Sequence, residues 1–151
     1  MNNLTVWIQF ITALAGCLGF CIVFHVRRSQ WIAASAGGVL SWAVYLAAAG
    51  ASGDYAGAFA GACAAALYGE IMAHCGHAPS TIFTVIASIP LVPGASLYRS
   101  ADSLMNGNPA QGRQLGIYTL LFAACMSAGI VVTTLVFRAV SKQVYARKHR
   151  Q

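Results

Sequence analysis

Residues 114–137, QLGIYTLLFAACMSAGIVVTTLVF, run for 24 positions without an acidic or basic side chain. As a helix this stretch is about 36 Å long, enough to cross a hydrocarbon core of about 30 Å. Its apolar residues do not alternate with a period of two, which argues for a spanning helix rather than a strand of a membrane barrel. Directly behind it stand Arg138, Lys142, Arg147, Lys148 and Arg150. A basic tail can bind nucleic acid, but one that follows a spanning run reads as a topology anchor on the cytoplasmic side, and no nucleic-acid partner is expected.

Four further apolar runs precede this one, at residues 4–26, 31–50, 55–75 and 80–98. The five together occupy most of the 151 residues. They predict a single transmembrane domain over 1–137 and a basic cytoplasmic tail over 138–151. Composition agrees, with 58% hydrophobic and only 8% charged residues. A soluble domain spends about a quarter of its positions on charge, so a water-soluble fold is excluded, as is polar disorder. The expected fold class is an all-α integral membrane protein of about five transmembrane helices, the fourth broken at Pro90 and Pro93-Gly94.

The first run lacks the basic start of a secretory signal and exceeds its apolar length. Leu14-Ala15-Gly16-Cys17 resembles a lipoprotein cleavage box, yet apolar residues continue well past the cysteine, so a retained helix is expected. The five cysteines, 17, 21, 63, 75 and 125, are odd in number and mostly intramembrane, where they act as small hydrophobes rather than a disulfide framework. Five spans with the C-terminus inside collect Arg27, Arg28 and the five tail cations on one side, leaving Arg99 and Arg113 on the other. The bias sets the N-terminus outside.

Three patterns bear on function. Pro90 and Pro93 each lack an amide donor, and Gly94 frees the backbone, so the fourth run should break and release the carbonyls of Ile86 and Ile89. In transporters such breaks face a substrate. A helix restarting near Ala95 would turn its positive end toward an anion, with Ser96 and Arg99 adding a hydroxyl and a cation. A packing kink is the alternative.

Glu70 is the acidic residue inside a span, with His74 one turn on. The pair suggests proton coupling, and an interfacial carboxylate reaching for water is the other reading. Gly53, Gly57, Gly61, Ala65 and Gly69 recur every four residues. Such a stripe lets helix backbones approach closely, within this chain or between subunits.

Other chemistry finds little footing. His74-Cys75-x-His77 carries metal-capable side chains but lacks a convincing fourth ligand, so no metal site is expected. No phosphate loop, nucleophile elbow or zinc-protease motif occurs. The chain is expected not to be an enzyme and to need no cofactor.

The stretch Ala78-Pro79-Ser80-Thr81-Ile82-Phe83, followed by Ile89-Pro90-Leu91-Val92-Pro93-Gly94 and Tyr98, resembles the C-terminal membrane half of threonine/serine exporters of the ThrE type, over roughly residues 10–137. Gly19-Phe20 to Phe24 and the short loop after it fit the same half. Family members often carry Arg or Lys before Pro79, where this chain has His74 and His77. The resemblance marks Pro90, Pro93, Gly94 and Tyr98. It implies the small subunit of a split exporter that works with a larger membrane subunit, with itself, or with both, in a bacterial inner membrane. The expected cargo is a small carboxylate-bearing metabolite, threonine or serine first and a dicarboxylate such as succinate second. The proton gradient would drive it, with Glu70 as carrier. A non-transporting membrane scaffold is the rival reading.

Overall fold

A computed structural model describes residues 3–76 and 79–148. His77 and Arg150 lie outside the described residues. Helix α1 covers Asn3–Val23, α2 Trp31–Ser52, α3 Asp54–Gly76, α4 Ser80–Ser88, α5 Gly94–Met105 and α6 Pro109–Lys148. Short 3₁₀ turns at Arg28–Gln30 and Ile89–Leu91 precede α2 and follow α4. The described residues contain no strand. Four helices are long and apolar enough to cross a membrane, and a bent pair, Ser80–Leu91 with Gly94–Met105, makes a fifth.

Helix α3 is the axis of the bundle, packing on α2, α6 and α4, while α1 leans on α2. In lipid no hydrophobic drive holds such helices together, so close backbone approach has to. A Cβ on Gly57 would fall 2.8 Å from the Ala49 side chain, and one on Gly61 3.0 Å from the Ser41 carbonyl, both across α2. On Gly69 it would strike Thr84 of α4, whose backbone nitrogen is 2.9 Å away. Ala65 is fully buried. The four-residue stripe therefore faces inward along α3. Gly53 differs. It lies between α2 and α3 at φ +91°, where a positive φ favours glycine, and a Cβ there would meet nothing within 4 Å.

Two further close approaches were not legible as a stripe. A Cβ on Gly129 of α6 would lie 2.6 Å from the Phe59 carbonyl of α3. One on Gly38 of α2 would collide with the Cys17 sulfur of α1. Cys17 and Cys21 are fully buried beside Ala34, Phe83 and Ile86.

The fourth span breaks where the prolines predict, and α5 leaves α4 at 53°. The Ile86 and Ile89 carbonyls lose their usual i+4 donors to the prolines, as expected, but neither is left open. Ile89 N–H donates to the Ile86 carbonyl as the last turn tightens, and Cys17 Sγ reaches the same oxygen at 3.5 Å. Val92 N–H takes the Ile89 carbonyl at 3.1 Å. The neighbouring Ala87 carbonyl accepts from Ser41 Oγ at 2.5 Å. Backbone groups freed in a membrane must find protein partners; the tightened turn takes Ile86 and Ile89, while α1 and α2 add side-chain donors to Ile86 and Ala87. Ser41→Ala removes one such donor. It should lower stability by about 0.5–2 kcal/mol, measurable as an earlier thermal transition in detergent.

Helix α6 also departs from the expected boundaries. It starts at Pro109, a residue suited to a first helical turn because its missing amide would have no partner there, after Gly107 turns the chain at φ +76°. It then continues through Arg138 to Lys148 without interruption. Its 40 residues make a rod of about 60 Å, twice the hydrocarbon thickness. The basic stretch from residue 138 is thus, as far as Lys148, helical and continuous with the last apolar run. Near the other end, α5 folds back on α6 through the Ser100 hydroxyl, which donates to the Gly112 carbonyl at 2.7 Å.

Candidate functional site

The C-terminal turns of α3, the length of α4 and the last apolar turns of α6 line a groove of about 240 Å³. Glu70 comes from α3, Ser80, Thr81, Thr84, Val85 and Ser88 from α4, and Ile130, Thr134 and Arg138 from α6. Ser80, Thr84 and Ser88 are four residues apart, and so are Thr134 and Arg138, which places each set on one helix face. Thr84 reaches its position because Gly69 lets α4 lie directly against α3. A cleft at Phe24 and Ile82, which shares Thr81 and Val85 with the groove, and another along Leu67 and Val136 are lined almost wholly by apolar side chains.

Glu70 is only 8% exposed. Among the described residues its carboxylate joins no hydrogen bond or ion pair. An ionisable carboxylate set this deep between helices is costly in a membrane and is the usual mark of an ion or proton path. His74 does not pair with it. Its Nδ1 bonds the main-chain carbonyl of Glu70 at 2.8 Å, and its ring packs edge-on to Phe137. Arg138 is exposed at the groove mouth and forms no ion pair among the described residues. Among the described residues the groove thus offers an unpaired carboxylate, an unpaired guanidinium and hydroxyls between helices, the complement of a zwitterion with a polar side chain. The open side is the α4 face bearing Thr81 and Val85, both exposed.

The residues singled out around the break do not gather into one site. Pro90 is half-buried and lines a separate pocket of about 220 Å³ with Gln9, Thr12, Ala13 and Trp42. Pro93 caps α5, and Gly94 is exposed with open space where a Cβ would stand. Tyr98 is 72% exposed, and Arg99 beside it is also exposed, both on amphipathic α5. Ser96 is half-buried one turn into that helix. Gln9 Oε1 and Trp42 Nε1 are themselves buried and have no hydrogen-bond partner among the described residues. Trp42 also stacks on Tyr45 at 4.9 Å.

Sequence reasoning missed the hydroxyls of the groove, Arg138, and the Gln9–Trp42 pocket. The spacing of Ser80, Thr84 and Ser88 inside an apolar run was an available signal. Among the described residues no three potential ligands gather for a metal.

A family model described as threonine/serine exporter, ThrE, matches residues 9–136. No curated protein and no solved structure matches the chain.

Proposed function

The chain belongs to the threonine/serine exporter family, and from that premise we propose that it is one subunit of a proton-driven exporter of threonine and serine. The observation that carries the reading is the groove between α3, α4 and α6. Glu70 takes the ammonium of the amino acid, Arg138 its carboxylate, and Thr84 and Thr134 the side-chain hydroxyl. Arg138 suits a carboxylate because its planar fork can donate two parallel hydrogen bonds.

Glu70 also explains exchange. A proton and an ammonium compete for the same carboxylate, so a proton arriving from outside displaces the amino acid. Export coupled to proton entry follows from that exclusion alone. His74, bonded to the Glu70 main chain, holds the end of α3 rather than relaying the proton.

With the basic residues inside, the groove opens at the cytoplasmic face of a bacterial inner membrane, and the N-terminus lies outside. The exposed Thr81–Val85 face leaves the path unwalled on one side. A larger membrane subunit, or a second copy of this chain, closes it, as an alternating-access machine needs two halves around its site.

A dicarboxylate such as succinate fits less well, because its second carboxylate would face Glu70. A scaffold without transport leaves unexplained a carboxylate that lines a groove and is unpaired among the described residues.

The test is efflux of labelled threonine, serine and succinate from cells that make this chain with and without the larger subunit. Threonine and serine efflux dependent on both chains is expected, and succinate alone as cargo would overturn the assignment. Arg138→Gln should raise the half-saturating threonine concentration about tenfold or more, the value of a charge-assisted hydrogen bond. Arg99→Gln in the same assay separates the groove from the break. If Arg99→Gln produces that rise and Arg138→Gln does not, the carboxylate binds at α5.

A further inference from the structure

The cleft between α1 and α4 has a chemistry that the groove beside it lacks. Phe24 forms one wall and Thr81, Ile82, Val85 and Ile86 the other, around a volume of about 250 Å³. From Thr81 to Ile86 that second wall extends about 7.5 Å along α4. The lining is almost wholly apolar, as a hydrocarbon chain requires. It contains no glycine or alanine, the residues that let a further helix approach closely in lipid.

Two cations stand at the same end of the bundle. Arg27 and Arg28 lie just beyond Phe24 in the loop from α1 to α2, and both are exposed. Among the described residues neither forms an ion pair. Their loop is fixed in place. Val26 is buried in one cluster with Phe83 and Ile86, against which Ile82 also packs, and its carbonyl accepts from Trp31 Nε1 at 2.8 Å. The segment that carries both guanidinium groups is therefore anchored on α4, next to the Phe24 wall. A guanidinium fork matches phosphate oxygens, and basic residues between helices at this side of a membrane collect anionic headgroups.

We propose that the cleft holds an anionic phospholipid, with an acyl chain against Phe24, Ile82 and Ile86 and its phosphate on Arg27 and Arg28. The apolar walls take the chain, and the arginines select a headgroup of net negative charge over a zwitterionic one. Thr81 and Val85 border both the cleft and the groove. A chain bound here seals one edge of the groove's open side, and on the export reading the partner subunit closes the remainder. The lipid site itself holds whatever the exported metabolite is.

The test offers the purified full-length chain, in detergent, phosphatidylglycerol and phosphatidylcholine with the same acyl chains, and reads bound lipid by native mass spectrometry. Phosphatidylglycerol should be retained in preference. Its binding should weaken about fivefold in Arg27→Gln and about thirtyfold when Arg28→Gln is added. Val85→Trp, which fills the cleft without changing charge, should weaken it too. Arg113→Gln removes a cation from the opposite end and should leave it unchanged. Equal retention of the two lipids overturns the proposal, as does unchanged binding in the arginine pair or in Val85→Trp. An equal loss in Arg113→Gln would mark general charge attraction and overturn it as well. Displacement of the lipid by glycerol phosphate, which has the anion but no chains, would reveal a free-anion site instead. Should the variants not accumulate, the lipid comparison and the glycerol phosphate competition on the unsubstituted chain decide.

Discussion

Glu70→Gln is expected to cut threonine efflux about 10- to 100-fold while the protein inserts and accumulates normally. Hydrogen bonds to charged groups are worth about 1.5–3 kcal/mol, and the amide replaces the charged acceptor of the ammonium with a neutral one. It also cannot take up a proton. Residual efflux should therefore no longer respond to the proton gradient, a signature that a general loss of stability would not produce. The fold should tolerate the change, because the carboxylate has no partner among the described residues and glutamine keeps its shape. Efflux that keeps its rate and its dependence on external pH would remove Glu70 from the mechanism.

Gly69→Ala should be among the most damaging single methyls in the described helices. The added Cβ meets both the Thr84 side chain and its backbone nitrogen, the latter at 2.9 Å. A flexible side chain can swing aside, but a backbone cannot, so α3 and α4 must separate. Overpacking of this kind costs about 1–3 kcal/mol. The separation also moves Thr84 away from Glu70, so transport should fall with stability. Thermal unfolding in detergent and efflux from cells would both report it. Adding Thr84→Ala should restore only part of the loss, since the backbone contact remains. Full recovery in the double variant would place the clash in the side chain alone. A Gly53→Ala control probes a different penalty, the φ of +91°, with no neighbour to displace.

What the sequence revealed and what it hid follow from the range of each interaction. Apolar length fixed the spans, because a bilayer imposes its thickness on any helix that crosses it. The break was legible because proline removes a donor wherever it sits. The side chains that close around it were not, since Cys17 and Ser41 reach the Ile86 and Ala87 carbonyls from 69 and 46 positions away.

Arg138 looked like the first residue of a tail, as charge after an apolar run usually does. Only the continuity of α6 brings it one turn from Thr134 and into the groove. His74 illustrates the limit of spacing rules. Four residues after Glu70 is the right interval for a side-chain pair, yet the ring turned to the main-chain carbonyl instead. Gln9 and Trp42 belong to different helices, and nothing in either segment announces the other.

The contact between Cys17 and Gly38 reaches beyond this one chain. With no room between the sulfur and position 38, neither site can drift alone during divergence. A relative that acquires alanine at 38 must already carry a smaller residue than cysteine at 17, or change both in quick succession. The two positions should therefore covary across descendants of a common ancestor. That correlation would record how α1 meets α2 in lineages whose surrounding apolar residues have been freely exchanged.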